Sequence, residues 1–451
     1  MEEIVIVGAG ISGLAAATFM RSSGLDPLVL EAGASPGGNV RSELVDGRVL
    51  DRAANGWLDN EPAMSRLLQI SGLEGEVVRA SDAAKLRWIW SKGAMHPAPL
   101  SPPALLRTRL LSVSAKLRLL AEPFIAQRRD GGDETVGEFV RRRLGAGVLD
   151  TMVGPMVAGI YAADPDKVSL EAAFPRMVEL ERDHGSLIRA MIRLGRGGAP
   201  SGHLCTLHGG AGALTSRLAA GLGDRLRCGA KIVGLRPEDG AFVVETGGGE
   251  IRARIVVLAC PAPEQGRLVG GFELPAAEAL ATIPYAPVAV VAGVWPHGAW
   301  ERDPQGFGVL LARGESMGGV LGTLFSSRVF PEQAGANEQL LRTILGGAIH
   351  PEVVDQDDQQ LIERARRAHG AMFGPERREP ELLRVYRHPR GIPQYLRGHL
   401  KVVDAVRDAE HRWPGLFFTG NHLQGIGVKD CARAGERVAR AARGLLALGG
   451  G

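Results

Sequence analysis

The residues best suited to chemistry near the start of the chain are three glycines rather than acids or bases. Gly8, Gly10 and Gly13 follow the apolar run IVIV and precede an alanine-rich stretch, with the spacing G-x-G-x-x-G. The first glycine permits a tight turn, the second lets a pyrophosphate approach the backbone, and the third lets helix and strand pack closely. Free N–H groups at Ile11 and Ser12, where the predicted helix begins, would face the phosphates.

A second apolar run, PLVLE, extends this fingerprint and ends in an acid eighteen residues after the third glycine. A carboxylate at that place can accept a hydrogen bond from a ribose hydroxyl. The following stretch, AGASPGGNVRSE, adds a second pair of glycines and then an arginine that can pair with a pyrophosphate. The predicted cofactor contacts of this segment are Glu31, Ala32, Gly37, Gly38, Asn39 and Arg41.

A single dinucleotide cofactor, FAD, is the prediction from this pattern. Flavoproteins of the amine oxidase superfamily carry the glycine-rich extension, and dehydrogenases generally do not. A second nucleotide fold for NADPH would need another full fingerprint, and the candidate HGGAGAL at 208–214 lacks the third glycine and a suitably placed acid. These features favour an oxidase or an oxygen-independent dehydrogenase.

Composition sets the context for that cofactor. A chain of 451 residues predicts two or three domains, and 45% hydrophobic with 23% charged residues is typical of a soluble globular protein. The formal charge of +3 gives no reason to expect a nucleic-acid partner. The four cysteines are too scattered for a metal or redox site, so we expect no metal and a reducing compartment. The acidic start and the short apolar runs predict a cytoplasmic protein with neither a secretory signal nor a membrane span.

The elements that must position the cofactor are spread along the chain. A strand at 4–7 and a helix at 11–20 form the first unit, three strands at 226–259 form a meander, and the strand LFFTGN precedes a helix at about 430–448. The predicted fold class is mixed α/β and α+β. A split Rossmann-like FAD-binding domain comprises 1–84, 203–268 and 410–451, a mixed-sheet substrate-binding domain comprises 85–95, 176–202 and 269–409, and a helical subdomain comprises 96–175.

One segment of the helical subdomain, 104–129, has an amphipathic and basic pattern. Its leucines and valine recur at helical spacing, and six basic residues stand against a single acid, Glu122. Two interpretations stay open. The helix either packs on its own domain with a solvated basic face or lies on an anionic membrane. In the second case the protein would sit peripherally on the inner face of the cell membrane.

Several further segments resemble one family of flavoenzymes. They are MVAGIYAADPDKVSLEAAFP (156–175), QGFGVLLA (305–312), LGTLFSS (321–327), GIPQYLRGH (391–399) and FTGNHLQGIGVKDC (418–431). The chain is similar over nearly all of its length to the oxygen-dependent protoporphyrinogen oxidases of the haem pathway. Amine oxidases and carotenoid desaturases share the N-terminal fingerprint but not these segments.

The resemblance implies a substrate slot for a flexible tetrapyrrole with two propionates. Leu310 and Leu324 match residues that sandwich a pyrrole ring, and Ile344 stands where many members have an aromatic residue. Gly159 matches a glycine whose carbonyl faces the pyrrole N–H groups. Arg87 matches the arginine that pairs with a propionate, a contact that a guanidinium can make bidentately. Lys85 is a second candidate for that role.

The resemblance also assigns residues around the flavin. Asn55 matches an asparagine near the flavin face and is the predicted catalytic-site residue. Ala53 replaces a usual glycine, and His388 replaces a usual tryptophan. The remaining matches to cofactor-binding positions are Ile232 beside the adenine, His388, and Gly420, Asn421, Gly427 and Val428 of the C-terminal signature. His422 is expected to support the turn rather than to act as a base.

The activity that the resemblance implies is the six-electron oxidation of protoporphyrinogen IX to protoporphyrin IX, with O2 as acceptor and three peroxides formed. The partners are therefore the porphyrinogen and O2, and a homodimer is compatible with the sequence. Oxidation of coproporphyrinogen III is the main alternative. This substrate has four propionates, so its binding slot would need more cationic residues. An amine oxidase, a carotenoid desaturase and a non-catalytic FAD-binding scaffold are further alternatives.

Overall fold

The computed structural model describes residues 1–128, 131–194, 202–315 and 317–448. Four parts of the predicted organisation therefore lie outside the described residues. They are residues 129–130 of the predicted helical subdomain, the first of which ends the basic segment, residues 195–201 and Ser316 of the predicted substrate-binding domain, and residues 449–451 at the end of the predicted FAD-binding domain.

Nineteen strands and seventeen α-helices make up the described part of the chain. The strands are β1 Glu2–Val7, β2 Leu28–Leu30, β3 Ser42–Val45, β4 Arg48–Asp51, β5 Trp57–Leu58, β6 Val77–Arg79, β7 Trp88–Ser91, β8 Ala94–Pro97, β9 Leu204–Leu207, β10 Leu226–Arg227, β11 Ile232–Glu238, β12 Ala241–Thr246, β13 Gly249–Leu258, β14 Tyr285–Pro296, β15 Gly308–Leu311, β16 Val320–Phe325, β17 Glu338–Gly346, β18 Leu382–Pro393 and β19 Leu416–Phe418. The helices are α1 Ile11–Ser22, α2 Pro62–Ser71, α3 Pro102–Arg107, α4 Val113–Leu120, α5 Val136–Arg143, α6 Ala146–Val148, α7 Gly154–Tyr161, α8 Leu170–Ala173, α9 Pro175–His184, α10 Leu187–Leu194, α11 Gly212–Ala220, α12 Ala262–Leu268, α13 Pro275–Ala281, α14 Ser326–Val329, α15 Asp358–Phe373, α16 His399–Arg412 and α17 Val428–Leu448.

The first large sheet carries the N-terminal fingerprint at one edge. Its order is β10-β2-β1-β13-β12-β11, and β19 pairs with β13. The strands β10, β2, β1, β13 and β19 run parallel, whereas β11, β12 and β13 form the antiparallel meander expected from sequence. Because parallel strands end at the same edge, the residues after Val7, Leu30, Leu258 and Phe418 converge there.

The first strand of the meander begins later than predicted. Residues 226–227 form β10, which pairs with β2, and the chain turns before β11 begins at Ile232. Gly229 has φ +73°, and its N–H donates to the carbonyl of Gly33 while Ala230 donates to Glu31. The break therefore lays this turn alongside the end of β2.

The second large sheet has the order β18-β14-β17-β16-β15-β7-β8. Side chains alternate between its faces. One face carries Val291, Val309 and Leu341 and packs against α15, whose Leu361 and Ala365 are buried in the same cluster. The opposite face carries Leu310, Leu324, Arg342 and Ile344, and the side chain of Arg342 donates to the carbonyl of Ala53.

The predicted amphipathic helix at 104–129 is wrong as a single element. The structure has α3, a turn, α4 and a short 3-10 turn at Glu122–Phe124. The side chain of Ser112 accepts from Ala115 N–H and begins a new helix, while Leu110 and Leu111 turn inward and are buried. Glu122 is fully buried and pairs with Arg143, so the single acid does not face the solvent.

Within the described residues, no helix combines the length and the apolar character that a bilayer crossing would need. The same residues hold no cluster of potential metal ligands.

Candidate active site

Each glycine of the opening fingerprint has a different steric reason to be there. A Cβ at Gly13 would lie 2.0 Å from the carbonyl oxygen of Gly8, so only glycine lets α1 pack on the turn. Gly8 has φ +106°, and a Cβ there would also press on the backbone after β13. At Gly10 a Cβ would meet no protein atom within 4 Å. The space over Gly10 is therefore open and suits the close approach of a ligand.

The start of α1 offers hydrogen-bond donors to that space. The helix begins at Ile11 without a side-chain cap at Gly10, and its first turn contains no acidic residue. The first N–H groups of a helix have no intrahelical acceptor, and the helix dipole makes this end positive. Ile11 and Ser12 are therefore placed to bind a phosphate through the backbone.

The second glycine pair closes on the first turn. Gly37 donates to the carbonyl of Ala9 at 2.8 Å, and a Cβ at Gly38 would lie 3.3 Å from Gly10 Cα. Both residues have positive φ, +109° and +55°. The guanidinium of Arg41 is held by the Gly38 carbonyl at 2.8 Å and by Ser35 at 3.0 Å, and Asn39 donates to Gly391 at 3.3 Å. The two turns thus form one cradle with a cation at its rim.

The end of β2 is the place that the sequence predicts for the ribose and adenine of the cofactor. Glu31 accepts backbone N–H bonds from Ala9 at 2.8 Å and Gly33 at 2.7 Å, which fixes its carboxylate. Each carboxylate oxygen has a second lone pair, so a ribose hydroxyl can still donate to it. Ala32 follows Glu31 and is exposed. The turn at 229–232 lies beside this part of the chain. Ile232 is buried, and its carbonyl accepts from Arg267 at 2.9 Å, so its backbone is partly engaged within the protein.

The N-terminus of α17 lies beside that of α1. A Cβ at Gly435 would lie 2.7 Å from the backbone nitrogen of Ala16, which shows how closely the two helices pack. Four residues earlier on each helix, Cys431 is in hydrogen-bond contact with Ser12. Because the contacts advance in the same direction along both helices, the helices are parallel and their positive ends adjoin. Val428, the first residue of α17, is buried in the same cluster as Ile11.

The turn between β19 and α17 is held by buried polar side chains. Gly420 has φ +153°, and a Cβ there would lie 2.3 Å from the ring of His422. His422 contacts Gln265 at 3.1 Å, and burial lowers the pKa of this histidine to about 3. It is therefore neutral and supports the turn. The carbonyl of Asn421 accepts from the hydroxyl of Tyr395 at 2.6 Å, and the N–H of Gly427 donates to the carboxylate of Asp430 at 3.1 Å.

Gln265 and Tyr395 are functional candidates that sequence reasoning missed. The amide of Gln265 donates to the carbonyls of Leu258, Cys260 and Thr419, so it ties the ends of β13 and β19 together. No motif or spacing signals this role. Tyr395 lies in the segment GIPQYLRGH, but nothing in the sequence distinguishes it from its neighbours, and its burial is visible only in the structure.

The loop after β4 carries Asn55 between two residues that pack on the cluster of α1 and α17. Ala54 and Trp57 pack on the cluster that contains Ile11 and Val428. Asn55 is half-buried, and its amide has no hydrogen-bond partner among the described residues, which leaves it available to a ligand. His388 lies on β18 and contacts the carbonyl of Arg52 at 3.0 Å. Burial lowers the pKa of His388 below its usual range.

The apolar residues predicted for the substrate slot share one face of the second sheet. Leu310 lies opposite Gly322, which in turn lies opposite Ile344, and Leu324 occupies the neighbouring pair. A Cβ at Gly159 on α7 would lie 2.8 Å from Leu310 Cδ2. Leu310, Leu324 and Ile344 are only half-buried, unlike the residues on the other face. The structure thus brings these four predicted residues to one wall of the cleft.

Arg87 lies at the edge of this wall, immediately before β7. Its guanidinium stacks over the ring of Phe307 at 4.9 Å from the centroid. No carboxylate of the described residues is paired with it, whereas Lys85 pairs with Asp82 at 2.6 Å. Of the two candidate cations, Arg87 is the one whose charge is not already matched.

Comparison with known proteins places these features in a family. Residues 11–443 match the family described as flavin containing amine oxidoreductase. The chloroplastic protoporphyrinogen oxidase of Oryza sativa subsp. japonica is 30% identical over 95% of this chain and 86% of that protein. The coproporphyrinogen III oxidase of Propionibacterium freudenreichii subsp. freudenreichii is 30% identical over 95% of this chain and 88% of its own.

Solved structures show the same fold. A crystal structure from Exiguobacterium sp. 255-15 has a TM-score of 0.85 with 24% identity and covers 98% of both chains. Cyclohexylamine oxidase from Brevibacterium oxydans IH-35A has a TM-score of 0.75 with 20% identity over 99% of both chains. The glycine cradle, the paired helix N-termini and the fixed Glu31 carboxylate fit the dinucleotide part of FAD. The chain belongs to the flavin containing amine oxidoreductase family.

Proposed function

We propose that this protein oxidises protoporphyrinogen IX to protoporphyrin IX, with FAD as cofactor and O2 as the final electron acceptor. Six electrons and six hydrogens leave the substrate, and three O2 molecules accept them as three H2O2. The observation that carries the proposal is the half-buried apolar wall that Leu310, Leu324 and Ile344 form on one face of the second sheet. The names of the plant and bacterial relatives support the same class of substrate.

The chain's own residues bind and orient in this proposal. When bound, FAD supplies a two-electron acceptor. The apolar wall holds a flexible macrocycle by contact and excludes water, and Gly159 permits the ring to approach α7. Asn55 presents an unpartnered amide on the loop that packs on the cluster of α1 and α17, where it can position the cofactor or a pyrrole N–H. No side chain is required as a nucleophile, because the substrate gains aromatic conjugation.

Charge favours a substrate with few carboxylates over one with four. Arg87 is the unmatched cation at the wall's edge, and it can hold a propionate bidentately. Two arginines of α9 already have acidic partners, because Arg176 pairs with Glu179 at 2.9 Å and Arg182 pairs with Asp183 at 3.0 Å. Coproporphyrinogen III therefore remains the second candidate, supported by the name of the Propionibacterium relative.

The test is porphyrin fluorescence measured with the two porphyrinogens side by side, together with O2 consumption and peroxide. We expect a higher kcat/KM for protoporphyrinogen IX and one O2 consumed per two electrons. A preference for coproporphyrinogen III would replace the first candidate with the second. A flavin that stays oxidised under anaerobic conditions with either substrate would refute both and favour a non-catalytic scaffold.

A matched pair of variants tests the propionate contact. Arg87→Met should raise KM about tenfold with FAD retained, since a charge-assisted bond contributes roughly 1.5–3 kcal/mol. Lys85→Met removes a cation two residues away whose charge is matched by Asp82, and it should leave KM within about twofold. Equal KM values for Arg87→Met and the parent would remove Arg87 from the site.

We further propose a cytoplasmic protein that contacts an anionic membrane through the surface around α4. Val113, Leu117, Leu120 and Phe124 are 74, 62, 53 and 84% exposed, and Lys116 is close by on the same helix. The protein should sediment with vesicles containing an anionic lipid and be released by salt. Val113→Ser with Leu117→Ser should abolish this, and failure of the parent to sediment at low salt would refute it. Light scattering of the parent protein without vesicles would test the expected homodimer.

A further inference from the structure

Arg342 on β17 is a cation buried without a carboxylate partner. Arg342 is only 2% exposed, and its Nη2 donates to the carbonyl of Ala53 at 2.5 Å. The Nε atom has no hydrogen-bond partner in the described part of the chain. Burial of an uncompensated guanidinium is costly, so its presence calls for a compensating interaction.

The nearest acid does not provide that compensation. Asp51 is fully buried, and its carboxylate accepts from Ser42 at 2.6 Å, Ala211 at 2.9 Å and Gln333 at 3.0 Å. No ion pair joins it to Arg342 among the described residues. Its oxygens are thus occupied by neutral donors, although its charge contributes to the field at Arg342.

The position of Arg342 points to the cofactor cleft. Ala53, its hydrogen-bond partner, begins the loop whose next residue packs on the cluster with Ile11 and Val428, the first residues of α1 and α17. Across the sheet, Arg342 lies opposite Leu324 and shares that face with Ile344. The guanidinium therefore lies on the face of the second sheet that carries the apolar wall, and it holds the loop that packs on the cluster of α1 and α17.

We propose that Arg342 supplies the positive potential that stabilises the negative charge of the reduced flavin. When bound, FAD would supply a two-electron acceptor that carries one added negative charge once it is reduced with a single proton, and Arg342 would stabilise that charge. A buried cation acts strongly on such a charge because little water screens it. The positive N-terminal end of α17 would act on that charge in the same direction. The role of Arg342 requires the family's flavin but does not depend on which porphyrinogen is the substrate.

The experiment measures the flavin midpoint potential of purified holoenzymes by equilibration with a reference dye. Arg342→Met should lower the ratio of reduced to oxidised flavin roughly tenfold at a fixed dye poise, which is about 30 mV for a two-electron couple. Arg342→Lys retains the charge and should stay within about threefold. The control is Arg52→Met, since Arg52 is a cation of the same loop whose side chain is 40% exposed and lies 3.6 Å from Glu43. It should also stay within about threefold.

Several outcomes would overturn the proposal. A parent-like potential in Arg342→Met with FAD bound would do so, and so would a raised KM without a shift in potential, which would reassign Arg342 to a substrate carboxylate. An equal shift in Arg52→Met would show that the effect is not specific.

The apoproteins decide the matter if the neutral variant does not retain FAD. If the urea midpoint of apo Arg342→Met equals or exceeds the parent's, the buried charge does not stabilise the apoprotein. This result would support a role of the charge towards the cofactor. A much lower midpoint would assign Arg342 to packing of the Ala53 loop and overturn the proposal. Inactivity of the parent on porphyrinogens would refute the proposed function but leave the potentials of these variants measurable.

Discussion

The cofactor side of the cleft is made of backbone, whereas the substrate side is made of side chains. On the first side, Gly10 and Gly38 approach each other and leave open space above them, and helix N–H groups face that space. On the second, Leu310, Leu324 and Ile344 come from three strands and meet only through the register of the sheet. The shape of the cofactor side depends on glycines that lack a Cβ. The shape of the substrate side depends on which side chains are present.

This difference determines how each side should fail. A single added methyl group can close the cradle or unseat a helix, because backbone atoms cannot move aside cheaply. A wall of half-buried side chains can adjust its rotamers, so a similar change there should alter affinity gradually. The variants below test that contrast.

Gly13→Ala should have the largest effect. The new Cβ would lie 2.0 Å from the Gly8 carbonyl oxygen, a backbone atom, so α1 must move away from the turn. We expect a loss of about 3 kcal/mol in the stability of the apoprotein and no FAD binding. Urea unfolding and the flavin absorbance of the purified protein measure the two effects. Parent-like stability would mean that the turn is more compliant than the geometry indicates.

A pH effect compares the two halves, because each contains a buried neutral histidine. Burial lowers the pKa of both His422 and His369 to about 3. The unfolded histidine binds a proton below pH 6.5 and the folded one only near pH 3, so stability should fall as the pH drops through this window. The free energy of unfolding should fall by about 1.4 kcal/mol per pH unit for each histidine. At pH 5 each histidine should therefore have lowered it by about 2 kcal/mol.

The measurement for this effect is the urea midpoint at pH 7 and pH 5. His369→Gln, beside the second sheet, and His422→Gln, in the cofactor turn, should each make the difference between the two midpoints smaller than the parent's. The exposed His411→Gln is the control and should keep the parent's difference between the two pH values. A parent-like difference in both buried variants would contradict the assignment.

Gly10→Ala separates cofactor binding from folding. The new methyl group meets no protein atom within 4 Å, and Gly10 has φ −73°, which alanine adopts without strain. The apoprotein should therefore be as stable as the parent or about 0.5 kcal/mol more so. FAD affinity should fall at least about tenfold, because the methyl group occupies the space left for the pyrophosphate. Titration of apoprotein with FAD is the measurement, and unchanged affinity would place the pyrophosphate elsewhere.

How much could be predicted from the sequence follows the same division. The cradle was predictable because its parts lie within residues 8–41 and glycine spacing encodes backbone geometry directly. Gly159, Leu310, Leu324 and Ile344 came only from family resemblance, because nothing local specifies which strands become neighbours. Their grouping on one wall is now visible, while their roles and the domain bounds remain predictions.

In the segment 104–129 the local sequence pattern was clear, but the prediction drawn from it was wrong. Helical spacing of apolar residues suggested one continuous helix, but Ser112 caps a new one and Leu110 turns into the core. Likewise, neither the buried pair Glu122–Arg143 nor the polar tie made by Gln265 has a signal in the sequence. Periodicity reports a tendency of each short stretch, and tertiary packing decides which face is buried.

Gly159→Ala tests the side-chain wall and should have the smallest effect of the series. The new Cβ would lie 2.8 Å from Leu310 Cδ2, the far end of a flexible side chain that can rotate away. We expect FAD affinity and stability close to the parent's, and a KM for porphyrinogen raised about fivefold, since Leu310 would move into the slot. Adding Leu310→Ala to Gly159→Ala should recover part of this loss, because it removes the atoms in conflict and makes the two changes non-additive. If the two effects simply add, Gly159 and Leu310 do not shape the same part of the slot. If Gly159→Ala instead costs the protein its flavin, the substrate side is as rigid as the cradle and the contrast between the two sides fails.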